Sequence, residues 1–507
     1  MVLTGGMSEN PLPSVAHDLP DPTAANIIYE PSLDELRSAS AHLETKTEHG
    51  SPSYVSEERS RNADKTKTDV DETFTPDDLD HLRRALDLAG ETELFCLDRR
   101  VGRHPDHSYV CRLYVPQEYG RIALAWAKLL EPVEGDAEPD FRTLQLPDYD
   151  ETMIRVFVDE GVTYALGSDY TGEAKKSFLR LFMHRAKEAG GLGLHAGTKE
   201  VRVEDEAGTL REVGQAFLGL SATGKSTLTS HGCWLDEPER AIMLQDDVCA
   251  LLPDGSVAGS EGGGLFIKTQ GLDPDEQPAL YDAATDPGAV IENVAVDEEG
   301  TVDFDDDSIT GNGRAIVLRD GLDSAAEDID LDEVHQVFFI TRNPLMPPVA
   351  RLTPEQGAVA FMLGESIETS AGDPERAGEA VRVVGTNPFI VGSEGEEGNR
   401  FHELVRDNDV ESYLINTGYL GDESKSIDVE HSVTILTETA RGTIEWEHDD
   451  LLGLDLPTTV PGVAIEEFHP ADHVDDYEEQ LAELREERRD YLAAFEDLDE
   501  TIREAVY

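Results

Sequence analysis

The residues best suited to chemistry lie in the stretch GLSATGKST, residues 219–227. It spells G-x-x-x-x-G-K-[ST] through Gly219, Gly224, Lys225 and Ser226, with Leu220, Ser221, Ala222 and Thr223 between them and Thr227 after. Glycines let backbone N–H groups close around phosphate oxygens, the lysine reaches the outer phosphates, and the hydroxyl can ligate Mg2+. A plain glycine turn would not need the lysine. About twenty residues on, AIMLQDD is an apolar run ending in Asp246 and Asp247. An aspartate at a strand end beside a phosphate loop commonly binds the nucleotide's metal. Adjacent acids also occur at Asp77, Asp305, Asp449 and Asp475, so only its position singles this pair out.

A second stretch, SDYTGEAKKS at 168–177, sets Lys175 beside Lys176. The chain holds only eleven lysines against thirty arginines. Five of the eleven sit beside glycine-rich or strand-end features: Lys175, Lys176, Lys225, Lys268 in EGGGLFIKT and Lys425 in GDESKS. A surface lysine ordinarily means nothing. Where the surface has been emptied of lysine, the survivors are enriched for function.

The elements that must position these residues follow from pattern. The run AFLGL before the loop reads as a strand, the context such a loop requires. PDDLDHLRRALDLA has helical spacing behind a Thr-Pro start. ELFCLD and SYVCRLYV read as strands, RIALAWAKLL as a helix, and TYALG as a strand leading into the paired lysines. KKSFLRLFMHRAKEAGG reads as a helix stopped by glycines. From about Val201, strands alternate with glycine-rich loops. At the end, Tyr477, Leu481, Leu484, Tyr491, Phe495, Leu498 and Ile502 predict one amphipathic helix. Residues 1–24 are polar and proline-rich, which predicts a poorly ordered segment. An N-terminal α/β domain is expected over 25–190 and a nucleotide-binding domain over 191–507.

Composition bounds the class. Acidic residues number 107 against 41 basic ones, a formal net charge of -66. That charge argues against nucleic acid and anionic membranes as partners, because both require a basic footprint. It is spread along the chain, and it would destabilise a fold in dilute buffer by self-repulsion. At about 1 M salt the Debye length falls to roughly 3 Å and the repulsion is screened. The expected setting is a salt-loaded cytoplasm, as in an extreme halophile. Four cysteines without paired spacing predict neither a disulfide framework nor structural zinc. No basic-then-apolar N-terminal segment and no apolar run of about 20 residues is present, so a soluble cytoplasmic protein is expected.

Taken in order, these segments resemble the ATP-dependent phosphoenolpyruvate carboxykinase family. YTGEAKKS is similar to its Y-A-G-E-x-K-K-[GS], and FLGLSATGKSTL to its F-x-G-L-S-G-T-G-K-T-T-L. LGLHAGT, LQDD, EGGGLFIKT, AVIENVAVD, ITGNGR, PPVARLTPEQGAVAFMLGES, YLINTGYLG and TVPGV follow in the family's order. The resemblance implies an α/β, two-lobed fold with a P-loop-containing C-terminal nucleotide-binding domain. It implies conversion of oxaloacetate and ATP to phosphoenolpyruvate, CO2 and ADP, with Mg2+ and Mn2+. By the resemblance, Lys176, His195 and Asp247 would hold Mn2+, while Lys225 and Ser226 would hold the nucleotide phosphates and Mg2+. Lys175 would contact substrate and phosphate, Tyr170 would line the substrate and CO2 pocket, and Lys268 and Arg314 would neutralise the phosphoryl group in transfer. A lysine can ligate metal only as the neutral amine, so Lys176 is expected to have a depressed pKa and Lys175 to remain cationic.

The sequence departs from the family at several points. The family's substrate arginine lies in G-R-S-P-K-D-K; by the resemblance Arg61 in SRNADKT is the candidate, and Arg103 in VGRHPDH is rejected because its surroundings fit the strand pair that follows that motif. Ala222 replaces a loop glycine and requires negative φ. Gln277 stands where the family has a ribose-binding glutamate, and Lys425 where it has an arginine near adenine. The loop lacks the cysteine of GTP-dependent relatives, which favours ATP. Two alternatives stay open: another phosphotransferase on the same scaffold, and a non-catalytic nucleotide-binding regulator. Oligomeric state is not legible.

Overall fold

A computed structural model describes residues 14–135, 137–220, 223–274, 277–322, 324–367, 380–421 and 425–507. Eight strands form the N-terminal sheet. Its spatial order is Ile27–Tyr29, Leu94–Val101, Tyr109–Pro116, Phe141–Leu146, Val162–Leu166, Met153–Phe157, Thr66–Thr68, with Glu131–Pro132 added beside Leu94–Val101. Three helices dress it. α1 (Pro76–Glu91) starts at a capping box: the Thr75 hydroxyl accepts from the Asp78 N–H, and the Asp78 carboxylate accepts from the Thr75 N–H. Such a cap is worth about 1 kcal/mol. Leu82, Ala85 and Ala89 form its buried face. α2 (Gly120–Leu129) is buried on nearly every side, as its continuous apolar sequence requires. It lies between the N-terminal sheet and the strands that carry Lys268 and Arg314. α3 (Thr171–Glu188) carries the paired lysines.

Of the segment 1–24 expected to be poorly ordered, residues 1–13 lie outside the described residues, and the remainder is anchored at Val15 and Ala16. Val15 and Ala16 are buried in the cluster that includes Leu82 and Ala85, and the Tyr164 hydroxyl donates to the Val15 carbonyl at 2.6 Å. The polar composition of this stretch hides a two-residue apolar anchor.

The C-terminal lobe is built on a second eight-stranded sheet. Its edge half holds β1 (Ala196–Glu204), β2 (Leu210–Leu218) and, after α4 (Lys225–Ser230), β3 (Arg240–Gln245). β2 pairs in parallel with Gln336–Thr341, which pairs in parallel with Glu411–Asn416. Ligands of such sheets bind beyond the carboxyl ends of the parallel strands, where the loop after β2 emerges. A third sheet runs across the proposed boundary at residue 190. β4 (Gly264–Lys268) and β5 (Arg314–Leu318) pair, and Val290–Glu292 then joins Pro52–Tyr54 and Thr45–Lys46 from the N-terminal part of the chain. The two lobes therefore share backbone hydrogen bonds, and residues 45–54 belong structurally with the later half.

The expected single C-terminal helix is two: Tyr477–Ala493 and Glu500–Glu504. The break is held by the side-chain amide of Asn399, which donates to the Asp497 carbonyl and accepts the Asp499 N–H, both at 2.8 Å. Leu492 joins Leu481, Leu484, Leu498 and Ile502 in the core, whereas Tyr491 and Phe495 pack at its edge. All four cysteines are buried and unpaired. Among the described residues, no helix is long and apolar enough to cross a membrane.

Candidate active site

The first turns of α3 open the site. Tyr170 caps the helix, and its ring lies so close to Gly172 that a Cβ there would sit 2.2 Å from a ring carbon. Only glycine allows this approach. Successive helical side chains diverge by about 100°, so Lys175 and Lys176 point into different surroundings. Lys175 is buried, its ammonium 2.8 Å from Asp247 and 3.0 Å from Glu261, 5.1 Å from the Phe266 ring centre. Lys176 contacts the same Asp247 oxygen, and its ammonium lies 4.6 Å from the Phe389 ring centre. Asp247 lies two residues past the end of β3, where the chain leaves the sheet.

The two neighbours differ in charge preference. Burial works against the charge on Lys175, but Asp247 and Glu261 outweigh it and raise its pKa. Burial pushes Lys176 down to about 8, against the pull of Asp247 and with Lys175 adding to the push. Burial also takes His195 down to about 4, helped by Lys225. Asp247 is held well below the usual carboxylate range: burial alone would raise it, and Lys175 and Lys176 override that.

His195 stands just ahead of β1. Its Nδ1 lies 2.6 Å from the Thr386 carbonyl, which can only accept, so Nδ1 carries the proton. Its Nε2 then presents a lone pair, 2.9 Å from Asp247 Oδ1. Two lone pairs facing each other define a seat for a cation. With the Lys176 amine, whose proton is already loosened, they form a nitrogen, nitrogen and carboxylate donor set that fits a divalent transition ion. Thr386 holds φ 50°, a conformation rare for a β-branched residue. The strain is of order 1–3 kcal/mol and aims its carbonyl at the imidazole.

The phosphate loop leaves β2 at Gly219. Ser221 and Ala222 lie outside the described residues, so the φ expected of Ala222 has no counterpart here. A Cβ on Gly219 would come 2.6 Å from the Thr223 hydroxyl, and Gly224 has φ 93°. Both glycines are needed for the turn. Lys225 opens α4; its ammonium is buried and has no hydrogen-bond acceptor among the described residues. Burial lowers its pKa while Asp247 and Asp246 raise it, so it shares the field of the carboxylates above. Ser226 and Thr227 occupy the first turn of α4 and are half-buried. The Thr417 hydroxyl donates to the Thr223 carbonyl at 2.7 Å and ties the loop to the end of Glu411–Asn416.

Arg61 reaches the site through loop 56–62. Asp169 accepts the N–H groups of Glu57 and Glu58, and Glu173 accepts that of Asn62. Asn293 and Asn312 hold the loop from the other lobe, through Ser56 and the Arg59 carbonyl. The Arg61 guanidinium then lies 4.4 Å from the Phe389 ring centre. Arg103 is elsewhere, in a two-point ion pair with Glu131. Lys268 and Arg314 face each other across the β4–β5 pair, and Arg314 lies over Phe266, whose other neighbours are Lys175 and Tyr170.

Two sequence candidates lie apart from this cluster. Lys425 pairs with Glu467 at 2.8 Å and covers Phe468. Gln277 caps Pro278–Thr285, its backbone bonded to Asp273 and Tyr281. Glu261, Thr386, Phe389 and the buried ion network of Arg121 with Asp169 and Glu292 escaped sequence reading. Glu261 sits at the start of EGGGLFIKT, where an acid followed by three glycines and an apolar run was the signal that could have found it. Nothing in the sequence marked Thr386 or Phe389, because their importance is in position alone.

A phosphate loop at the end of a parallel strand, facing a carboxylate that gathers two lysines and a histidine, defines a two-lobed, metal-dependent enzyme of phosphoryl transfer. The comparisons give the family. A sequence model described as phosphoenolpyruvate carboxykinase matches residues 40–466. An Aeropyrum pernix protein named phosphoenolpyruvate carboxykinase (ATP) is 34% identical over 478 residues, covering 93% of this chain and 95% of its own. Proteins of the same name from Mesorhizobium japonicum (28% identical; 65% of this chain, 62% of its own) and, numbered 2, Salinibacter ruber (27%; 82% and 80%) also match. The chain belongs to the ATP-dependent phosphoenolpyruvate carboxykinase family.

Proposed function

We propose that this cleft converts oxaloacetate and ATP to phosphoenolpyruvate, CO2 and ADP. The observation that carries the reading is the convergence of Lys175, Lys176 and His195 on Asp247, within the electrostatic reach of Lys225. Lys176, His195 and Asp247 would hold Mn2+, and Ser226, with the phosphates, Mg2+. Bound there, the ions supply positive charge opposite oxygens that become anionic. Arg61 fixes a carboxylate of oxaloacetate. Loss of CO2 breaks a carbon–carbon bond and leaves its electron pair as an enolate, which Tyr170 and Lys175 flank. The enolate oxygen attacks the γ-phosphorus of ATP, and ADP leaves. Lys225, Lys268 and Arg314 lie where the charge of the moving phosphoryl group spreads. Lys175, cationic because two carboxylates hold it so, keeps its charge throughout. Gln277 and Lys425 would contact the nucleoside end of ATP.

The domains divide functionally as substrate lobe and nucleotide lobe, joined by the shared sheet. The acidic surface supports a cytoplasmic enzyme of a high-salt cell, acting on small molecules without nucleic acid or membrane partners.

The test is phosphoenolpyruvate formation by purified protein in multimolar KCl with oxaloacetate, ATP, Mg2+ and Mn2+. ATP binding without product would refute the assignment. Arg61→Ala should raise the KM for oxaloacetate about tenfold or more, the value of a charged hydrogen-bond pair, and leave the KM for ATP near its starting value. Arg103→Ala should do neither; the reverse pattern would transfer the role to Arg103.

A further inference from the structure

Arg180 lies one helical turn beyond Lys176 on the same face of α3, with Glu173 one turn before. It is 6% exposed. Among the described residues, no carboxylate lies within ion-pair distance of its guanidinium and no carbonyl or hydroxyl accepts from it. Other buried arginines among the described residues have carboxylate or carbonyl partners: Arg121 with Asp169 and Glu292, Arg155 with Asp78, Arg488 with Glu365, and Arg319 with the Leu244 and Ala326 carbonyls. A buried guanidinium left unpaired is costly, so this one stands out.

Its surroundings are cationic. The Phe389 ring has the Arg61 guanidinium at 4.4 Å, the Lys176 ammonium at 4.6 Å and the Arg180 guanidinium at 5.9 Å from its centre. The acids whose charge reaches Arg180 are Glu173, which already accepts hydrogen bonds from Asn62 and faces Arg61 as well, and, more weakly, Asp71. Asp247 is taken by the two lysines and His195. Three cations thus converge on one ring at the edge of the metal residues, with one carboxylate between two arginines.

We propose that Arg180 is a second substrate arginine: with Arg61 it forms a seat for a carboxylate group of the dicarboxylate substrate. This rests on the carboxykinase reading for the identity of that substrate.

The test compares wild type, Arg180→Met and Arg180→Lys in high KCl. Arg180→Met should raise the KM for oxaloacetate about tenfold or more and leave the KM for ATP within about twofold. Its ligand-free unfolding midpoint should equal or exceed that of wild type, because no protein partner is lost. Arg180→Lys should recover part of the oxaloacetate affinity. An unchanged KM for oxaloacetate overturns the proposal. So does a lowered unfolding midpoint with both KM values raised, since that marks a structural arginine paired with Glu173. Calorimetric titration of malonate into wild type and Arg180→Met separates this inference from the reading beneath it. A wild type that makes no phosphoenolpyruvate refutes the carboxykinase assignment; equal malonate binding by the two proteins refutes the anion seat.

Discussion

Replacing Glu261 with glutamine tests the electrostatic core of the site. Glu261 is 2% exposed and lies 3.0 Å from the Lys175 ammonium, which also meets Asp247 at 2.8 Å. At an effective dielectric of about 20, unit charges at that distance attract by about 5 kcal/mol. Burying the carboxylate opposes this, and burial does push the Glu261 carboxyl up, with Lys175 pulling back. Breaking a buried pair usually costs about 3–5 kcal/mol because the orphaned charge remains. Here Lys175 keeps Asp247, so about 2–3 kcal/mol is expected. Glutamine keeps the shape and an acceptor oxygen, which confines the change to charge. Lys175 should then draw Asp247 more strongly, away from Lys176 and His195, and Mn2+ should bind more weakly. Denaturant unfolding in high KCl at pH 7 reads the first effect, and Mn2+ titration by electron paramagnetic resonance reads the second. A stability change under about 0.5 kcal/mol, with unaltered Mn2+ binding, would refute the reasoning. It would mean that Glu261 is already protonated in the folded protein and that Asp247 alone holds Lys175.

Three further outcomes are expected. Lys176→Ala should abolish the Mn2+ dependence of activity while ATP still binds; unchanged Mn2+ activation would remove Lys176 from the metal set. Glu365 is buried between Arg488 and Arg382, and although burial alone would raise its pKa, the two arginines hold it at about 2. A carboxyl depressed on folding stabilises fully above its unfolded pKa and progressively less below it. Between about pH 4.5 and pH 2 the fold should therefore lose about 3 kcal/mol from this site, and Arg488→Met should shrink that loss in acid titrations followed by circular dichroism. Dialysis from multimolar to dilute KCl should unfold the protein as screening of the -66 charge is withdrawn; a fold that survives in dilute buffer would contradict the high-salt reading.

The sequence by itself determined the chemistry available. Phosphate binding needs glycines and a lysine at fixed local spacing, so GLSATGKST was legible without coordinates. The scarcity of lysine pointed to Lys175 and Lys176, and helical geometry alone required the two to face different ways. Helix α1 was legible from its cap, and α2 from its unbroken apolar run. The tertiary structure decided what long-range contacts decide. Asp247 is 71 residues from Lys176 and 52 from His195, and only the meeting of three elements puts them in contact. Thr386 and Phe389 have no local signature, because a backbone carbonyl and an aromatic face act through where they lie. The C-terminal helix looked continuous because Leu498 and Ile502 keep the apolar period, while Asn399, a hundred residues away, supplies the hydrogen bonds that break it. Residues 45–54 look like part of the first domain because strand pairing across more than 200 residues leaves no mark in local pattern. Arg180 combines the two kinds of information. The sequence puts it on the face of Lys176, and only the folded protein reveals that it is buried there among cations, with no ion pair among the described residues.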